Sequence, residues 1–243
     1  MGYADATVTA PPTVSILETG DELVHAGDPI AEVHIRNSNA PMFAAHFQPS
    51  GARPRDLGIG RDQLEELREK VNEGLNACFF LLSGGVSAGE KDFVPQVLSE
   101  SGVKEIFHKV CVKPGKPIWF GVRENIEGKR TYVFGLPGNP VSSMLCFELF
   151  VRPAIRQYLG QASVMPEMVS LPLTKAHVAA GDRPTYYPSH IIPQPEGFAV
   201  EPVDWKGSSD LLAPTRANAW IMFPAGNREY VPGDLVEVLM SEW

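Results

Sequence analysis

Between positions 13 and 160 the hydrophobic residues switch repeatedly between unbroken apolar runs and a spacing of three or four. Thr13 to Leu17 and Cys78 to Leu82 are apolar runs of strand length, as found where a sheet is covered on both faces. Val103 to Val112, Pro117 to Val122 and Arg130 to Gly135 read as further strands, and Ala31 to Arg36 as a weaker apolar stretch. Helical spacing links Met42, Phe43, His46 and Phe47, after the starting cluster Asn37-Ser38-Asn39 and before Gly51. It recurs in Leu64, Leu67, Val71 and Leu75, with Asp62 as the expected cap and Glu and Lys on the opposite face. Phe93 to Ser101 reads as a short helix. Val141 to Leu159 reads as a long one that Pro153 must kink and Gly160 ends. Strands alternating with helices predict a three-layer α/β domain over residues 1–160.

Beyond Gly160 the pattern changes. Pro166, Pro172, Pro184, Pro188, Pro193, Pro195 and Pro202 punctuate short β-rich runs such as Phe198 to Pro202, Ala219 to Phe223 and Leu235 to Leu239. This predicts a small all-β domain, a barrel, over residues 161–243.

Composition narrows the function classes. Of 243 residues, 44% are hydrophobic, enough to bury a core. A net charge of −8 argues against a general nucleic-acid binder. No run approaches the roughly 20 apolar residues of a membrane helix, and the first residues have neither the basic start nor the apolar stretch of a signal peptide. Ala6 stands where a myristoylation motif needs Ser or Thr. Cys78, Cys111 and Cys146 show no Cys-x-x-Cys spacing, which fits the reducing cytoplasm, and their apolar neighbours predict small buried side chains. The six histidines have no metal-ligand spacing, and no Gly-x-Ser-x-Gly elbow is present.

Four loops carry unusual residues. Glu18 to Glu22 reads as a polar turn after the first strand, and the adjacent carboxylates of Asp21 and Glu22 suit a hard cation. Ser83 to Asp92 is rich in glycine, with Gly84 and Gly85 able to bring backbone N–H groups close to phosphate. It departs from the P-loop because Glu90 follows Gly89. Lys113-Pro-Gly-Lys-Pro117 sets two lysines three apart on a stretch stiffened by proline, suited to a tetrahedral oxyanion. Leu136-Pro-Gly-Asn-Pro140 is a tight turn that puts Ser142 at the start of the long helix.

Together, Thr19-Gly-Asp-Glu-Leu23, Ser83-Gly-Gly-Val-Ser87 with Asp92, Lys113-Pro-Gly-Lys-Pro117 and Leu136-Pro-Gly-Asn-Pro140 resemble the molybdopterin molybdenumtransferases in order and spacing. That family includes the E domain of gephyrin. Gly207-Ser208-Ser209 and Pro232-Gly-Asp234 resemble its terminal β domain. The resemblance implies insertion of molybdenum from molybdate into adenylylated molybdopterin, with release of AMP and use of Mg2+, in a cytoplasmic homodimer. It implies that Glu22 and Asp92 act catalytically through the metal. It further implies that Gly84, Gly85, Ser87, Lys113, Lys116, Ser142, Arg183 and Ser208 bind substrate. The related readings are a molybdopterin adenylyltransferase, a competence-damage-inducible amidohydrolase and a catalytically weak scaffold. Asn37 stands where the family's Asp-Ser-Asn has Asp. The resemblance covers the family's C-terminal half, so a folded chain with intact ligand loops, a more open site and weak insertion is expected.

Overall fold

The computed structural model describes residues 2–86 and 93–241. In chain order the first part contains β1 (Val14–Thr19), β2 (Leu23–Val24), β3 (Ile35–Arg36), α1 (Asn39–Phe47), β4 (Pro54–Gly60), α2 (Leu64–Gly74), β5 (Phe79–Ser83), α3 (Phe93–Glu100), β6 (Lys104–His108), β7 (Trp119–Glu124) and β8 (Arg130–Leu136). Helix α4 (Pro140–Cys146) then runs through a π-helical turn, Phe147–Val151, into α5 (Arg152–Tyr158). The second part contains β9 (Met168–Pro172), β10 (His177–Ala179), β11 (Thr185–Gln194), β12 (Gly197–Pro202), α6 (Leu212–Thr215), β13 (Ala219–Phe223), β14 (Arg228–Tyr230) and β15 (Leu235–Met240).

The first sheet has the order β4-β1-β5-β8-β7-β6, with β4, β1, β5 and β8 parallel and the last two strands antiparallel. Alternation along β5 makes two cores. Phe79 and Leu81 face Phe43 and Phe47 of α1 together with Phe147 and Ile155, while Phe80 and Leu82 face Leu67 and Val71 of α2 and Val97 and Leu98 of α3. The result is the expected helix–sheet–helix sandwich. After β1 the chain leaves for β4 on one side, whereas after β5 it leaves for β6 at the far edge. The carboxyl ends of β1 and β5 therefore flank the point where the strand order reverses, the place where open α/β sheets form a ligand crevice.

Several expectations need correction. Strand β1 continues through Glu18 and Thr19, which are buried rather than part of a solvated turn. The long helix yields before Pro153, in the π-helical turn: proline has no N–H to give, its ring crowds the carbonyl four residues back, and an extra residue in the turn accommodates both. Asp62 does not cap α2, whose N-cap is Gln63. Of the cysteines only Cys146 is buried, and Cys111 is exposed. The predicted strand from Val103 to Val112 is paired only over Lys104–His108.

In the second part, β12-β11-β13-β15-β9 form an antiparallel sheet. Its edge strands approach each other where Leu173 bridges Val200 and the Thr174 N–H donates to the Val200 carbonyl at 3.0 Å, so the sheet curls into a small barrel-like unit. Val112, Val141, Met144 and Leu145 pack against Trp220 and Leu239, joining the two parts through a shared apolar cluster. Among the described residues no helix is long and apolar enough to cross a membrane.

Candidate functional site

A cleft of about 830 Å³ opens at the carboxyl ends of β1, β5 and β8. Glu18 to Gly20, Glu22, Asn37, Asn39, Asp62, Ser83 to Val86, Pro117, Pro137 to Pro140 and Ser209 line it. The loops after β1 and β5 lie too close for side chains between them. A Cβ on Gly84, whose φ is +87°, would sit 2.4 Å from the Thr19 carbonyl oxygen. A Cβ on Gly20 would sit 2.6 Å from Glu22 Oε2, so the Glu22 carboxylate folds back over the turn.

Arg61 fixes that turn from the end of β4. Its Nη1 donates to the carbonyls of Asp21 at 3.0 Å and Leu23 at 3.2 Å, and the Asp62 N–H donates to Asp21 Oδ1 at 3.2 Å. On the other wall, Asn39 Nδ2 donates to Ser83 Oγ at 2.8 Å and to the Gly138 carbonyl at 2.9 Å, tying α1 to the loops after β5 and β8. Asn37 Oδ1 accepts from the Ala40 N–H at 3.2 Å and holds the first turn of α1.

Glu18 is the unexpected member. It is 1% exposed, and its Oε1 has no hydrogen-bond partner among the described residues. Burial pushes its carboxyl up to about 8, with the nearby Asp56 adding to the rise and the Ser83 hydroxyl partly opposing it. The carboxyl is thus held neutral at a position where a carboxylate would be expected.

A second, smaller cavity of about 130 Å³ lies where the two parts of the chain meet. Lys113, His177, Arg183, Thr185, Tyr187, Trp205 and Phe223 are among its walls. The Lys113 N–H donates to the Pro184 carbonyl at 2.9 Å, the Tyr186 N–H donates to the Lys113 carbonyl at 2.7 Å, and Arg183 Nη1 donates to the Val112 carbonyl at 3.2 Å. His177 stacks on Phe223 with ring centroids 4.3 Å apart, and burial lowers its pKa. The loop Lys113 to Pro117 spans both spaces, with Lys113 in the small cavity and Pro117 in the cleft.

The sequence-predicted residues divide accordingly. Glu22, Gly84 and Gly85 line the cleft; Lys113 and Arg183 line the small cavity. Ser208 sits at the cleft edge, where its Oγ accepts from Asn139 Nδ2 at 3.0 Å and its neighbour Ser209 lines the wall. Lys116 is exposed, lines neither space and lies near Asp182. Ser142 is 5% exposed within α4 and also lines neither. Ser87 and Asp92 lie outside the described residues. Sequence reasoning passed over Glu18, Asn39, Arg61 and Asp62 as site residues. An acidic residue closing an apolar strand was the available signal for Glu18.

Among the described residues there is no group of three His, Cys, Asp or Glu side chains that could hold a metal. Glu22 and Asp62 nevertheless line the same cleft. Two oxygen-donor carboxylates at a space open to an anionic ligand fit Mg2+, which takes one or two protein carboxylates and completes its shell with water and phosphate.

Comparison with known proteins agrees with this architecture. Residues 15–157 match a family described as "Probable molybdopterin binding domain", and residues 170–240 match the MoeA C-terminal region (domain IV). The molybdopterin molybdenumtransferase of Bacillus subtilis (strain 168) is 34% identical over 249 residues, covering 100% of this chain and 57% of the relative. That of Staphylococcus aureus (strain COL) is 29% identical over 242 residues, covering 99% and 57%. A crystal structure of the molybdopterin biosynthesis MoeA protein from Pyrococcus horikosii superposes with a TM-score of 0.77 at 26% identity, covering 96% of this chain and 55% of that one. The chain thus spans 57% of the length of these curated relatives.

Proposed function

The chain belongs to the MoeA family of molybdopterin molybdenumtransferases, spanning its molybdopterin-binding domain and C-terminal region, and on that premise we propose that it inserts molybdenum from molybdate into adenylylated molybdopterin, with release of AMP. The observation that carries this reading is the pairing of a carboxylate-bearing cleft with an adjacent cationic cavity, joined by the loop Lys113 to Pro117. The cleft suits the larger substrate. Gly84 and Gly85 let its phosphates approach the backbone closely, and Glu22 and Asp62 would hold Mg2+, with Asp92 from the same glycine-rich loop as a further carboxylate. Bound there, the metal would supply charge neutralisation on the phosphoanhydride.

The small cavity suits a tetrahedral dianion. Lys113 and Arg183 approach it from different parts of the chain, and Tyr187, Trp205 and Phe223 form its aromatic side, so two cationic donors converge on one space. Lys116 would act from the rim as a long-range attractor for the anion. Ser142 and Ser208 would support the loop after β8 that closes the cleft. A two-fold homodimer and a cytoplasmic setting complete the reading, the latter in keeping with three free thiols.

The test is AMP release by the purified chain from adenylylated molybdopterin, with and without molybdate and Mg2+. Release that requires both is the expected result. A folded sample that releases no AMP under any of these conditions overturns the reading. Light scattering checks the assembly, with twice the 26.5 kDa chain mass expected.

A further inference from the structure

Glu18 and Asn39 both line the cleft, and Glu18 Oε1 and Asn39 Oδ1 are buried oxygens with no hydrogen-bond partner among the described residues. Among the described residues the neighbouring donors are already engaged. Asn39 already spends its amide N–H groups on Ser83 Oγ and the Gly138 carbonyl, which fixes the orientation of the amide and leaves its oxygen unmet. The Ser83 hydroxyl has one proton, within reach of the Pro137 carbonyl at 3.3 Å and of the Glu18 carboxyl, and Glu18 Oε1 is still left unmet. Buried acceptors without donors are costly, and a protein keeps them where a ligand supplies the missing N–H groups.

We propose that Glu18 and Asn39 recognise the aminopyrimidinone edge of the pterin, the part of the substrate that presents a ring N–H beside an exocyclic amine. This inference rests on the molybdopterin reading of the cleft and deepens it. The edge carries two parallel donors in the arrangement of a guanidinium, which a carboxylate accepts side by side. Asn39 Oδ1 offers a further acceptor beside them. Ile30, Ile35 and Leu211, exposed in the lining of the same cleft, offer apolar surface on which a flat heterocycle can rest. Without such an edge against it, burial holds Glu18 protonated, so seating the pterin would return the carboxyl to its charged form and release a proton.

The experiment titrates the full chain with 6-methylpterin and with 6-methyllumazine, in which a carbonyl oxygen replaces the exocyclic amine, and follows ligand fluorescence. A site built to accept hydrogen bonds rejects an analogue that lacks the donor, so the wild type is expected to prefer the pterin by about tenfold or more. Glu18→Gln and Glu18→Leu should bring that ratio close to one, and Asn39→Ala should lower it. The ratio is taken within each folded variant, so partial loss of folded protein does not imitate the result. Equal wild-type affinity for both ligands, or an unchanged ratio in the Glu18 variants, overturns the proposal. AMP release measured on the same samples separates the two readings. Turnover with an unaltered ratio overturns the pterin assignment alone, whereas an altered ratio without wild-type turnover supports the assignment and overturns the insertion reading.

Discussion

Glu18 on β1 stands opposite Ser83 on β5, the last register pair before both strands give way to the loops of the cleft. The pairing buries a carboxyl that folding must keep protonated. Its pKa is about 8 in the folded chain against 4.5 as the ordinary value, so between these limits the folded state holds a proton the unfolded chain has lost. Stability therefore falls as pH rises from about 4.5 to about 8 and is flat beyond that. Glu18→Gln should remove this cost and stabilise the chain by an amount on the order of 3 kcal/mol at pH 8, and by much less at pH 5. Denaturant melts at the two pH values measure it. Equal effects at both would refute the buried, neutral carboxyl.

The buried cluster of His46, Glu148 and Arg152 gives the opposite slope. Arg152 donates to both oxygens of Glu148, at 2.7 and 2.6 Å, and its Nη2 lies 3.3 Å from His46 Nδ1. Glu148 is also 3.4 Å from that nitrogen, but it is already neutralised by the guanidinium. Burial first, and Arg152 second, lower the His46 pKa to about 4 from 6.5. The contribution of neutral His46 is complete above pH 6.5 and is lost as pH falls toward 4. His46→Gln should flatten that acid limb, which amounts to roughly 2–3 kcal/mol at its foot. An unaltered limb in the variant would show that other groups set it.

Gly84 tests the closeness of the two cleft loops. A methyl group there would meet the Thr19 carbonyl oxygen at 2.4 Å from a backbone at φ +87°, so neither rotation nor a flexible neighbour can relieve it. Gly84→Ala is expected to cost about 2–4 kcal/mol and to widen the gap between β1 and β5. Gly102, also at positive φ but with nothing within 4 Å, is the control; its Ala variant should lose clearly less. Equal losses would mean that conformation, not contact, sets the cost.

Molybdate binding should depend on the cavity-lining cations more than on Lys116, which lines neither space. Lys113→Ala and Arg183→Ala should each weaken molybdate binding by about tenfold or more, as expected for loss of a charge-assisted bond. Lys116→Ala should cost only a few-fold because the side chain lines neither space and lies close to Asp182. Calorimetric titration with molybdate measures all three. A Lys116 effect as large as that of Lys113 would move the anion to the rim.

The sequence disclosed the elements whose burial is one- or two-sided over many residues. The apolar run at Cys78 to Leu82 and the three-to-four spacing of Leu64 to Leu75 both became the elements they suggested. β4 was invisible because Pro54, Arg55, Asp56, Gly58 and Gly60 carry no strand pattern; it is an edge strand, positioned by its pairing with β1. The loops were legible as candidate chemistry because glycine, proline and charge cluster there. What spacing could not disclose was how they would assort. The separation of Lys113 from Glu22 into different cavities is set by contacts across more than 60 residues of chain, such as that between Lys113 and Pro184. Glu18 was missed because an acid beside a Thr-Gly turn reads as solvated unless the strand is known to continue through it.

Lys113 is covalently part of the chain that builds the first sheet, yet its peptide groups are bonded on both sides to residues 184–186. The main chain here is effectively borrowed by the barrel. If the two parts of the molecule rock against each other, Lys113 travels with Arg183, and the distance between these cations stays constant while their distance from Glu22 and Asp62 changes. An anion seated between them would keep its place beside the barrel, with the loop Lys113 to Pro117 as the tether that sets its distance from the cleft.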